Sequence, residues 1–170
     1  MKRIMIQLTV SFTIVFGTTI YDIQSGAVNE GESVIIQGIV TAANGETPDE
    51  DGSFYIQDGA GAYNGINVFS SEYTVSRGDL VELYGEYVEF FGKSEISEPE
   101  NLEILSSGNT LPEPEVLSLD QGDWEPWEGV LIQIQSVTVS NDDAEYGEWD
   151  VTEIGGTNMM RIDNAGNYTY

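Results

Sequence analysis

Gly52-Ser-Phe-Tyr-Ile-Gln-Asp-Gly-Ala-Gly-Ala-Tyr-Asn-Gly-Ile-Asn-Val-Phe69 reads as two short strands joined by a glycine-rich turn. Phe54 to Asp58 is aromatic and β-branched, which suits a pleated, half-buried strand. Ile66-Asn67-Val68-Phe69 alternates apolar and polar, the period-2 mark of a second strand. Gly59, Gly61 and Gly65 are expected to supply the positive φ angles of the reversal between them.

The neighbouring segments extend this pattern. Glu32 to Ala43 reads as a long strand with Val34, Ile36, Gly38 and Val40 on one face, and Gly38 is expected to permit a bend or bulge. Asp79 to Phe91 reads as another, with Val81, Leu83 and Gly85 inward and Glu82, Tyr84 and Glu86 outward. Phe90-Phe91-Gly92-Lys93 turns the chain, and Leu102 to Leu105 is expected to close the set as a fifth strand. Five strands, two of them long and interrupted by glycine, suit a small closed barrel, because closure removes exposed sheet edges.

Ser106 to Glu115 is rich in Pro, Gly and Ser, as a linker is. The pattern then restarts. Val130-Leu131-Ile132-Gln133 echoes Val34-Ile35-Ile36-Gln37, Gly147 to Val151 stands in the place of the Phe54 strand, Gly155-Gly156 supplies a turn, and Met159 to Ile162 supplies the next strand. The expected fold class is therefore all-β: a five-stranded OB-like barrel followed by the first strands of a second OB-like unit. The expected organisation is a signal peptide over 1–17, the barrel over 18–107, a linker over 108–119, and an incomplete second unit over 120–170. A three-stranded half-barrel leaves an open edge, so the chain is expected to be a fragment or to dock that unit on something else.

The signal peptide is read from Lys2-Arg3 followed by the mostly apolar run Ile4 to Phe16, too short to span a bilayer. The other reading of this run is a buried strand, since Gln7, Thr9, Ser11 and Thr13 alternate with Ile6, Leu8, Val10 and Phe12. Export gives a secreted or cell-surface location.

Composition narrows the chemistry. The 170 residues carry five basic and thirty acidic side chains, a net charge of −25, with no histidine and no cysteine. Thiolate metal sites and disulfides are excluded, and the commonest general base and transition-metal ligand is missing. A polyanion is attracted by clustered Lys and Arg, and this chain repels one on average. Acidity of this kind also suits solubility in a salty or extracellular setting.

Val34-Ile-Ile-Gln-Gly-Ile-Val-Thr-Ala42, Phe54-Tyr-Ile-Gln-Asp-Gly59, Arg77-Gly-Asp-Leu-Val-Glu-Leu-Tyr-Gly85 and Ser106-Ser-Gly-Asn-Thr-Leu-Pro112 together resemble a family of OB-fold domains in secreted bacterial proteins. Glu125-Pro-Trp-Glu-Gly-Val-Leu131 is similar to that family's hinge between one OB unit and the next, and Gly147-Glu-Trp149 also fits. Such domains stand beside extracellular nucleases of the endonuclease/exonuclease/phosphatase type, or beside lamin-tail and secretion-sorting domains. The resemblance implies an accessory module and carries over no catalytic residue. Val151 to Gly156 departs from the family's usual turn.

OB barrels commonly bind on the outer face of their second and third strands. With Ile56 and Val68 inward, period 2 places Tyr55, Gln57, Asn67 and Phe69 outward together, and Tyr84 is expected to join them from the fourth strand. Arg77 and Lys93 are the cations nearest in sequence. The plainer reading is that these aromatics are cross-strand pairs or cover the barrel under a loop. Asp49-Glu50-Asp51, Asp142-Asp143, Glu98 and Glu100 are loop acids rather than the opposed pair a glycosidase needs. Asp49, Asp51 and Asn44 are oxygen donors of the kind calcium takes, but the EF-hand spacing is not met, so no cofactor is expected. Ser106-Ser107 has no base to activate it, and Trp124 and Trp127 are expected to pack the two units together.

Two functions follow. The first is a non-catalytic binding module presenting single-stranded nucleic acid to a neighbouring nuclease. The second is a structural or spacer module, or one that binds protein or glycan, with no nucleic-acid affinity.

Overall fold

The computed structural model describes residues 17–44 and 52–163. All but the last residue of the expected signal peptide, together with Asp49, Glu50 and Asp51, lie outside the described residues. Within the described residues no helix is long and apolar enough to cross a membrane.

Five strands close into a barrel: β1 (Ser33–Ala42), β2 (Ser53–Gln57), β3 (Gly65–Phe69), β4 (Leu80–Phe90) and β5 (Lys93–Ser106), in the order β1-β2-β3-β5-β4. β4 returns to pair with β1, and β3 runs parallel to β5 while the other barrel pairs are antiparallel. This closure and strand order are those of an OB fold. Val34, Ile36, Val40, Phe54, Ile56, Ile66, Val68, Val81, Leu83 and Ile96 form the core, so the inward residues expected on the first four strands point inward.

The fifth strand contains the expected Leu102 to Leu105, which pairs with β4 and sets Leu102 against the core, but it starts earlier and meets β3 elsewhere. It begins at Lys93, and the residues that close the barrel are Glu95 to Ser97, paired to Asn67 to Phe69. Ile104 and Leu105, in the stretch expected to close it, are exposed. The run Ser94-Glu-Ile-Ser-Glu-Pro-Glu100 carries a single apolar residue, Ile96, so it has no visible period. Its partners on both sides supply the strand.

The glycines also act differently. In the β2–β3 turn Gly61 has positive φ, joined by Tyr63, whereas Gly59 and Gly65 do not. The β1 bulge lies between Val40 and Ala42 rather than at Gly38. Gly38 instead lets β1 approach β2: a β-carbon there would lie 3.0 Å from the Ile56 Cβ. Gly85 does sit in a register shift of β4, and a β-carbon on it would meet the Ile96 Cγ2 at 2.5 Å.

The lead-in forms a plug, α1 (Ile20–Gln24), capped by a reciprocal Thr19–Asp22 capping box. Ile20 and Ile23, three apart on one face, are buried in the barrel core. The Ile20 N–H donates to the Asp58 carboxylate at 2.9 Å, and the Gln24 amide donates to the Gly65 carbonyl at 2.6 Å.

Beyond the barrel, Asn109 ties the chain back to it, both its backbone N–H and its side-chain amide donating to the Gly78 carbonyl at 2.9 Å. β6 (Glu115–Leu117), inside the stretch expected as linker, pairs in parallel with β7 (Ile132–Ile134). A meander follows: β8 (Val137–Asn141), β9 (Glu148–Glu153) and β10 (Met159–Asp163). Ile132 and Gln133, expected in the first strand of the second unit, pair instead with β6, in a separate sheet from this meander. Arg161 on β10 donates to Asp150 at 3.0 Å and to Glu148 at 3.2 Å across the pair.

Candidate binding face and the strap across it

On the outer face of β2 and β3, Ser53 lies opposite Phe69, Tyr55 opposite Asn67, and Gln57 opposite Gly65. Tyr55, Gln57, Asn67 and Phe69 therefore share one face, as alternation requires. The face is not open. Gln57 and Asn67 are each 1% exposed.

The cover comes from the chain itself. A 3-10 turn, Glu125–Trp127, and the residues after it cross the barrel as a strap. The Tyr63 N–H donates to the Pro126 carbonyl at 2.6 Å. The Ser94 N–H on β5 donates to Glu128 Oε1 at 3.1 Å. Gly129 lies backbone to backbone on Gly65 of β3. The Leu131 N–H donates to Gln57 Oε1 on β2 at 2.7 Å. The strap thus touches β5, β3 and β2 in turn, at the level where β2 ends and β3 and β5 begin. The Gln57 amide nitrogen is also used, donating to the Gly59 carbonyl at 2.9 Å. Asn67 donates to the Ser53 hydroxyl at 2.6 Å, and its Oδ1 is buried without a partner.

The expected platform is therefore divided. Tyr55 and Arg77 line a cleft of about 510 Å³ against Gly129, Val130 and Leu131. Phe69 and Lys93 line a second, of about 490 Å³, with Val88, Phe90 and Glu95. Lys93 is paired to Glu95 at 3.4 Å. Tyr84 does not join either. It lies beside Ile35, whereas Tyr55 lies beside Ala42, about 20 Å away along β1 at the rise of a strand. Strand order explains the miss, since β4 reaches β2 only across β1.

The strap carries the site's most perturbed group. Burial, and then repulsion from Glu125 and Glu89, push the Glu128 carboxyl up to about 7 against the Ser94 hydrogen bond and the Lys93 charge. Its Oε2 is shielded and unpartnered. Glu89 accepts from the Tyr87 hydroxyl and, at 2.6 Å, from the Ser94 hydroxyl. Burial and the Glu89 bond together hold the Tyr87 phenol above its ordinary range.

Among the described residues no three His, Cys, Asp or Glu side chains gather as metal ligands. Asn44 is a loop brace: its oxygen accepts from the Val75 N–H at 2.9 Å and its amide donates to Gly52 at 2.6 Å. Sequence reading treated Glu125 to Leu131 as a hinge and missed that its polar groups dock on β2, β3 and β5. The one available signal was Gly65, an outward strand position with no side chain.

No family model matches the chain, and no curated protein does. Among solved structures it is similar to the second OB-fold domain of replication protein A from Methanococcus maripaludis, at 22% identity over 48% of this chain and 91% of that one, TM-score 0.36. It is also similar to a putative aspartyl-tRNA synthetase from Leishmania major Friedlin, at 10% identity over 65% of this chain and 25% of that one, TM-score 0.43. A third is the hypothetical protein ygiW from E. coli, at 19% identity over 56% and 98%, TM-score 0.39. The OB assignment rests on the barrel's own strand order.

Proposed function

We propose that this chain is a non-catalytic orienting module of an exported multidomain protein. Its OB barrel uses the β2–β3 face to hold the following β unit in a fixed pose. One observation carries the reading: the strap covers the Gln57–Gly65 end of the face on which OB folds take their ligands, and spends the Gln57 amide oxygen on the Leu131 backbone. Charge supports the same reading. A net charge of −25 repels phosphate, and two of the chain's cations, Lys93 and Arg161, already sit against carboxylates.

The test is a titration of the whole chain with single-stranded oligonucleotides at about 50 mM salt, where phosphate contacts are strongest. No binding is expected. Binding that weakens as salt rises would replace this reading with that of a nucleic-acid module. Backbone ¹⁵N relaxation adds a direct check: β1–β5 and β8–β10 should tumble with one correlation time.

A further inference from the structure

The β4–β5 hairpin ends in Phe90-Phe91-Gly92-Lys93, with Phe90 paired to Lys93 across a two-residue turn. Phe91 and Gly92 have φ of 54° and 82°, the two positive angles of a type I′ turn. Asn, Asp or Gly takes the first of these positions readily; a bulky side chain there is an outlier. Phe91 is also 95% exposed and Phe90 55%, their rings edge to face at 4.8 Å. Two unfavourable choices thus meet on one residue: a left-handed backbone and a ring in water. Neither serves the fold, because a polar residue would make the same turn with less strain and less exposed apolar surface.

Beside this tip lies the cleft lined by Phe69, Val88 and Phe90, with Glu89, Glu95 and Lys93 around them. Lys93 pairs with Glu95, and Glu86 stands exposed next to Ser97 on the same outer face. We propose that the hairpin tip and this cleft dock a basic partner polypeptide. It seats an apolar side chain between Phe69 and Phe90 and sets Lys or Arg against the exposed Glu86 and Glu89, Glu95 being buried and held by Lys93. Charge selects the occupant. At −25 the chain repels nucleic acid, anionic lipid and a second copy of itself, and attracts a cationic segment. The apolar lining asks that segment for an aliphatic or aromatic side chain as well.

The probe is a capped Lys-Leu-Lys-Leu-Lys peptide, titrated into the isotopically labelled chain. Glu-Leu-Glu-Leu-Glu and phosphatidylcholine vesicles serve as the other arms. Amide shifts are expected at Phe69 and over residues 88–97, from the lysine peptide alone. Phe91→Asn should bind it about tenfold more weakly or worse while melting at a higher temperature, since the substitution relieves the turn. A merely structural Phe91 would give the opposite melt. The proposal is overturned by shifts scattered over the acidic surface, by equal affinity in Phe91→Asn, or by vesicles that perturb these amides when the peptide does not.

Discussion

Gly65 on β3 and Gly129 on the strap pack backbone against backbone. A β-carbon on Gly129 would lie 2.8 Å from the Gly65 carbonyl carbon, and one on Gly65 would fall 2.6 Å from the Val130 nitrogen and closer still to the Gly129 carbonyl. Neither backbone can give way without moving a whole segment, so Gly65→Ala should lift the strap and leave the barrel core intact. Gly65 does not have positive φ, so the substitution strains no dihedral. The expected cost is about 1–3 kcal/mol, as for overpacking. It should be read in denaturant melts and in amide shifts at residues 126–131. Unchanged shifts there would show that the strap does not depend on this contact.

Glu128 ties strap stability to pH. Its carboxyl has an ordinary value of 4.5 and titrates near 7 in the folded chain, so the folded state holds a proton that the unfolded state has released. The stabilisation is full below about 4.5 and is lost as pH rises towards about 7. Above that, a charge sits half-buried beside Glu89 and Glu125. Glu128→Gln keeps an oxygen for the Ser94 N–H and carries no charge. The wild-type chain should therefore lose stability relative to the variant between those limits, and the variant should be the more stable at pH 8. A difference that stays flat across that range would refute the assignment.

The Thr19 hydroxyl accepts from the Asp22 N–H at 3.1 Å, and the Asp22 carboxylate accepts from the Thr19 N–H at 2.9 Å. Thr19→Ala should cost about 1 kcal/mol and speed hydrogen exchange across α1, since the five-residue helix is too short to persist without its cap and its packing. The Thr19 hydrogen bonds hold the Asp22 carboxyl below its ordinary 3.8. Their stabilisation is present above that value and is lost as pH falls through the folded one. Exchange rates equal to wild type would mean that Ile20 and Ile23 hold the plug alone.

Much of the barrel was legible because its signals are local. Ile66-Asn67-Val68 and Val81-Glu82-Leu83 alternate apolar with polar, whereas β1 is largely apolar on both faces, with Ile35 and Ile39 beside Val34, Ile36 and Val40. Period 2 still groups each strand's residues by side without any knowledge of partners. Ser94 to Ser97 was not legible, since Ile96 is one apolar residue among polar ones. It becomes a core strand only because β3 and β4 already offer it unpaired backbone. Tyr84 was misplaced for a related reason: alternation says which side a residue faces, and only strand order says which neighbours it meets.

The sequence by itself determined the class of fold, the inward set of four strands, the turn at Phe91-Gly92, and an acidity that disfavours phosphate. The tertiary structure decided what the outer face is for. Gln57 and Leu131 are 74 residues apart, and nothing in either local pattern announces their hydrogen bond. An exposed polar position on a strand and a position roofed by another segment share the same period, and differ only in what the rest of the chain lays across them.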